Sequence, residues 1–224
     1  MSLFEYPKNA HYGRVLPKNK IYEYAGVNTK LKELFVREVD QVVWKYKLAP
    51  ETINIPATKS VSEIQVFEVA LKTRELRVDV LRAIDKAIAF PIIYELRKGD
   101  KVKAIACFKR ASEKDSGKWI LGSYFETDWL DESSTPRLAL PVKLDLGSLY
   151  AELLGSLIPY PPRRGETLER RVGRAEAIAI HRKELAKARS ALSKEKQFNL
   201  KVEINGKIRS IEHQIKELEK SNGL

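Results

Sequence analysis

At 224 residues, with 43% hydrophobic and 32% charged residues, the chain carries enough apolar side chain for a packed core, which excludes disorder throughout. A formal net charge of +11 favours a polyanionic partner, DNA or RNA, over an acidic small molecule. The single cysteine, Cys107, excludes an intramolecular disulfide, and no stretch approaches the roughly 20 apolar residues that span a bilayer. A cytoplasmic protein with no membrane partner is therefore expected.

Residues 1–25 read as an irregular arm with Pro-Lys-Asn turns at Pro7 and Pro17. Tyr12, Arg14, Lys18, Lys20, Tyr22 and Tyr24 interleave cations with rings, a pattern that grips phosphates and stacks on bases. The same residues equally suit an arm wrapped over the domain with its tyrosines buried. Asn28 or Thr29 caps a first helix, and Leu31, Leu34, Phe35, Val39, Val42, Val43 and Tyr46 recur at helical spacing, predicting a helix that runs to Pro50. Thr52 to Ile55 should be a short extended piece. A β-rich run from Glu63 to Leu71, a helix marked by Leu76, Val80, Leu81, Ile84 and Ile88, and a strand from Phe90 to Leu96 follow. Lys98-Gly99-Asp100-Lys101 makes a hairpin turn into a strand from Val102 to Phe108, and another strand runs from Trp119 to about Thr127. This order predicts an α+β fold: a mixed or antiparallel sheet with helices packed mainly on one face.

Leu146 to Ile158 has helical spacing, and Pro159 to Gly165 breaks the chain, giving an α+β domain with its arm over 1–160 and a basic helical tail over 161–224. The tail holds 16 basic residues against 9 acidic ones and so carries most of the positive excess. Ile178, Leu185 and Leu192 repeat at seven, whereas Ile204, Ile208, Ile211, Ile215 and Leu218 alternate four and three, the spacing of a coiled-coil seam. The two registers fall out of phase near Lys196 to Leu200. That mismatch allows one long helix with a stutter or an antiparallel hairpin, and the hairpin is favoured because a lone helix leaves its seam exposed unless it dimerises.

Arg163, Arg164, Arg170, Arg171, Arg174 and Lys183 make the linker and first tail helix cationic. With Lys18, Lys20 and Tyr22 of the arm they are the candidate nucleic-acid-binding residues, suited to phosphate contact without base readout. Glu166, Glu169, Glu176 and Glu184 intersperse, so a solvated, ion-paired helix face explains the same pattern.

For catalysis the sequence offers little. There is no glycine-rich phosphate loop, no Cys/His spacing for zinc, and the three histidines are scattered, so no catalytic set, metal site or cofactor is expected. One enzymatic alternative is a divergent Mg²⁺-dependent nuclease using Glu68, Glu95, Asp100 and Lys109, although Cys107 stands two before Lys109 where a metal-binding acid belongs. A second acidic group, Glu126, Asp128, Asp131 and Glu132 around Trp129, reads as a solvated loop or a protein contact.

Several long stretches, Val15 to Glu23, Tyr46 to Pro56, Val61 to Phe67, Ile84 to Ile92 and Glu195 to Asn199, resemble a prokaryotic family, domain of unknown function 4391. The resemblance implies no catalytic residues. It does imply a setting, because such members tend to be encoded beside superfamily-two helicases and DNA methyltransferases in loci that look like restriction or antiviral defence systems. The expectation is a non-catalytic accessory or adaptor subunit of a DNA-processing complex, with a helicase or methyltransferase partner and contact to DNA or RNA. A self-assembling coiled-coil structural protein, a homo-oligomer through the tail, is the other alternative.

Overall fold

The computed structural model describes residues 3–111 and 119–220. Its contacts divide the chain into two compact units, Met1–Leu157 and Ile158–Leu224.

In the first unit, β2 (His11–Val15), β3 (Val39–Leu48), β4 (Ile64–Leu71), β5 (Ile92–Lys98), β6 (Lys101–Ala111) and β7 (Trp119–Glu126) lie side by side in chain order, and β8 (Leu130–Asp131) adds to β6. β1 (Phe4–Glu5) and β9 (Leu138–Ala139) form a separate small parallel pair. The main sheet is mostly antiparallel. Its one parallel neighbour pair is β4 and β5, joined by the crossover helix α4 (Val78–Ala87), whereas β5 and β6 close through Gly99, whose φ of 60° suits the first position of a two-residue hairpin loop.

The arm is more ordered than the sequence predicts: after β2 it forms α1 (Lys18–Ala25), ended by Gly26 at φ 59°. Asn28 caps α2 (Thr29–Glu38), its side chain accepting from the Leu31 amide at 2.9 Å. The expected helix to Pro50 stops there, and Val39 to Leu48 is a strand. Val39, Val42 and Val43 fit a helical stripe, but β-branched and aromatic residues from Val39 to Tyr46 also suit a pleated surface, and pairing Val39 with Leu71 and Leu48 with Ile64 satisfies the backbone against β4. Likewise the piece expected to be extended, Thr52 to Ile55, begins inside a short helix, α3 (Pro50–Ile53), because Pro50 starts a turn and the Thr52 hydroxyl bonds the Ala49 amide and the Lys47 carbonyl.

Alternation along the strands gives the sheet two faces. Phe67, Val69, Tyr94, Leu96 and Ile105 point to α1, α2 and α4 and form one core with Phe35, Val80, Leu81 and Ile84. Phe35, Phe67 and Tyr94 are fully buried, each contributing about 1.5–3 kcal/mol of apolar transfer. Ile93, Glu95 and Ala104 face the other way, toward Leu3, Tyr6 and Leu153 of α5 (Leu146–Gly155). Three helices thus cover one face and α5 the opposite one.

α5 also repairs the sheet. β5 pairs with β6 only as far as Ile93 with Ala106, so the Cys107 carbonyl and Lys109 amide lie beyond their strand partner. The buried Tyr150 hydroxyl takes over, accepting from Lys109 N and donating to Cys107 O, both at 3.0 Å. Tyr150→Phe leaves both groups unsatisfied and is expected to lower stability by about 1–3 kcal/mol, read as a lowered midpoint in thermal or urea unfolding with unchanged secondary structure.

The second unit is a two-helix hairpin of α6 (Leu168–Lys194) and α7 (Phe198–Glu219). Thr167 caps α6, and the Glu195 carboxylate accepts from the amides of Lys196 and Gln197 at 2.7 and 2.8 Å, which forms the turn into α7. Arg182 with Glu219 and Arg189 with Glu212, each at 2.7 Å, fix the helices as antiparallel. Ile178, Ile211 and Ile215 are buried between them, flanked by Tyr160, Leu185 and Leu218. No helix among the described residues is long and apolar enough to cross a membrane.

Candidate functional site

The strand carboxylates decide whether the first unit holds a catalytic centre. Glu68 on β4 and Glu95 on β5 stand in register on the face that α5 covers. Neither is free. Arg137 forks onto Glu95 at 2.6 and 3.0 Å, and the same guanidinium reaches Phe4 O at 2.9 Å and Glu132 at 3.5 Å. Arg97 pairs with Glu132, and its Nε lies 2.6 Å from Glu68 at an angle that makes this an ion pair rather than a hydrogen bond. Lys45 closes on Glu68 at 2.5 Å. Glu132 is pulled upward by burial, but Arg97 and Arg137 outweigh that and hold its carboxyl below the ordinary carboxylate value. Three carboxylates and three cations therefore neutralise one another, and a divalent ion would have to displace guanidinium groups to reach an oxygen.

Asp100 and Lys109 do not join them. Asp100 is exposed in the β5–β6 turn. Lys109 points to the opposite face, where its ammonium donates to the carbonyls of Asp85 at 2.7 Å, Phe90 at 3.0 Å and Ile88, and lies 3.6 Å from the Asp85 carboxylate. It thus satisfies carbonyls in the last turn of α4, at its C-cap and in the segment just beyond, placing a positive charge at the negative pole of the helix. Asp85 is equally buried and accepts from the Tyr124 hydroxyl at 2.5 Å, while its other oxygen has no hydrogen bond among the described residues. Burial raises the Asp85 carboxyl, with Lys109 and Tyr124 opposing; burial lowers Lys109, with Asp85 opposing. Burial likewise pushes the Cys107 thiol up to about 12, which makes it a packed hydrophobe rather than a nucleophile. Among the described residues, no three His, Cys, Asp or Glu side chains meet in a way that would hold a metal ion.

The acidic group around Trp129 is also tied into the sheet: Glu126 pairs with Lys103, Asp131 with Lys101, and the Lys103 ammonium sits 5.5 Å from the Trp129 ring.

The candidate nucleic-acid residues fall into two groups. In the first unit Lys18 donates to Val39 O at 2.6 Å, tying α1 to the end of α2, and Tyr22 packs edge-on against Phe35; Lys20 is exposed, with Glu23 3.9 Å away. In the second unit the hairpin gathers Arg163, Arg164, Arg170 and Arg174 around a shallow depression of about 350 Å³ beside Leu218. Two of these act as anchors. Arg163 donates to the carbonyls of Glu217, Leu218 and Lys220 at the end of α7, and the buried Arg174 forks onto Glu166 at 2.7 Å and reaches Pro161 O and Leu218 O. Arg171 binds the carbonyls of Tyr160 and Ile158. Arg164 and Arg170 remain exposed at the rim, and Lys183 is exposed further along α6. The anchors hold the rim, and the rim cations have their donors available for phosphate oxygens.

Nothing in the local sequence pattern singles out Arg97, Arg137, Asp85, Tyr124 or Tyr150. Arg137 lies in a proline-containing loop, and only its reach back to Glu95 and Phe4 reveals its role.

The family model for domain of unknown function 4391 matches residues 4–215, nearly the whole chain and both units. The chain belongs to this family. No curated protein and no solved structure matches it. For this member of the domain of unknown function 4391 family, chemistry must therefore be argued from its own side chains.

Proposed function

We propose that the protein is a non-catalytic accessory subunit of a DNA-processing, restriction-like or antiphage defence complex. In this reading the hairpin, packed along its seam as a coiled coil, contacts nucleic-acid phosphates through Arg164, Arg170 and Lys183, and the first unit docks a helicase or methyltransferase partner. The observation that carries it is the mutual neutralisation of Glu68, Glu95 and Glu132 by Lys45, Arg97 and Arg137, which favours binding over catalysis where these carboxylates converge. The net charge of +11 and the exposed rim arginines support a polyanionic partner.

Gel-shift titration of the full chain against duplex and single-stranded DNA and RNA across salt concentrations tests this. Binding at about 50 mM salt that weakens steeply by about 200 mM is expected, and Arg164→Gln with Arg170→Gln should weaken it and flatten the salt slope by about 2. No binding by the native protein at low salt would remove the nucleic-acid part.

A further inference from the structure

A second basic surface lies on the first unit, lined by the end of α1, α2 and α4. α2 and α4 run on the same face of the sheet, and between them opens a cleft of about 430 Å³. Its rim carries Lys30 from the first turn of α2 and Arg77, Arg82 and Lys86 along α4, and Leu34 and Ala83 lie on its floor. The one acid in the lining, Asp79, sits 3.7 Å from Arg77 at the exposed end. Lys30 and Lys86 have no carboxylate partner among the described residues, and Arg82 is held over the Tyr124 ring at 5.6 Å, which fixes its guanidinium without neutralising it. The positive N-terminal pole of the ten-residue α2 opens beside Lys30 and adds to the field.

We infer that this α2/α4 cleft is a phosphodiester-backbone site that holds a single nucleic-acid strand. Spacing argues for a strand rather than an isolated phosphate. From Arg77 to Lys86 the helix rises about 14 Å, long enough to run beside more than one phosphate of a strand. A single anion would be served by convergent donors at one point, whereas here the cations are strung along one edge with an apolar strip beneath them that accommodates sugar and base faces. Four cations against one already engaged acid give the strip a charge that a phosphate row complements. The inference deepens the nucleic-acid reading proposed above, and it places the contact on a different unit.

The test uses the full chain and a fluorescein-labelled, mixed-sequence single-stranded 20-nucleotide DNA, with anisotropy read across KCl concentrations. Two variants separate the surfaces: Lys30→Gln/Arg77→Gln/Lys86→Gln for the cleft, and Arg164→Gln/Arg170→Gln for the hairpin. The three cleft positions are exposed, and Lys86→Ala alone serves as a milder second variant. The cleft variant should bind at least tenfold more weakly at about 100 mM salt, with the salt slope shallower by about 2, and Lys86→Ala should lower the slope by about 0.7. Native affinity and slope in the cleft variant overturn the inference; if the hairpin variant alone loses binding, the inference falls and the proposed function stands. Absence of binding by the native chain sinks both. A polyglutamate peptide that displaces the DNA as well, charge for charge, as unlabelled oligonucleotide does would overturn the phosphodiester assignment in favour of an acidic protein partner.

Discussion

Arg137→Ala is expected to destabilise the first unit by about 3 kcal/mol, the low end of the range for removing one partner of a buried ion pair. Glu95 is only 2% exposed and takes both of its close, forked bonds from Arg137. Taking the guanidinium away leaves a carboxylate desolvated beneath α5, with Arg97 still 3.8 Å from it as partial compensation. That remaining contact is why the low end applies. The Phe4 carbonyl loses its donor at the same time, so the small β1/β9 pair should loosen together with the network. Urea unfolding measures the loss, and Glu95→Leu added to Arg137→Met should recover most of it, because an apolar pair of similar volume carries no desolvation cost. A loss below about 1 kcal/mol for Arg137→Ala would mean that water already reaches Glu95, and the case against a metal site there would weaken.

What the sequence made legible follows from how local the cause is. The strands of β4 to β7 and the Gly99 turn are set by alternation and by one residue that adopts positive φ, both readable in a short window. The hairpin of α6 and α7 is legible because two apolar registers fail to join at Lys196 to Leu200, and the structure turns at Glu195 to Gln197. The α2-to-β3 switch is not legible by spacing, since Val39, Val42 and Val43 satisfy both periods; their β-branching was the better guide, and β4 supplies the deciding pairing partner from beyond the local window, as in Val39 with Leu71. Charge networks are the least legible. Glu68 and Glu95 stand out in sequence as strand carboxylates, but Arg97 and Arg137, which neutralise them, look like surface residues in a basic protein until the sheet brings the four together, and the tail arginines look alike in sequence although Arg163 and Arg174 hold helix ends while Arg164 and Arg170 face solvent. The cleft cations offered one clue, since Arg82 and Lys86 stand four apart beside Ala83 on a helix whose other side is apolar.

Lys109→Met should cost about 3–5 kcal/mol near pH 8, and the cost should depend on pH in a way that a packing defect does not. The substitution keeps an apolar stem but removes the charge, so the carbonyls of Asp85, Ile88 and Phe90 lose their donor and the Asp85 carboxylate loses its nearest cation. Burial already raises the Asp85 carboxyl, and Lys109 is the largest influence holding it down, so its folded value rises further in the variant. A carboxyl with a raised folded value binds its proton more tightly in the folded chain than in the unfolded one. Its contribution is complete below the ordinary carboxylate value of about 3.9 and is lost as pH climbs through the folded value, at up to about 1.4 kcal/mol per pH unit for one proton. The deficit measured by urea unfolding should be larger at pH 8 than at pH 5, and Asp85→Asn introduced with Lys109→Met should flatten that difference. A deficit identical at both pH values, with no effect of Asp85→Asn on it, would assign the whole loss to the orphaned carbonyls and leave Asp85 with no electrostatic part in holding α4 against β6.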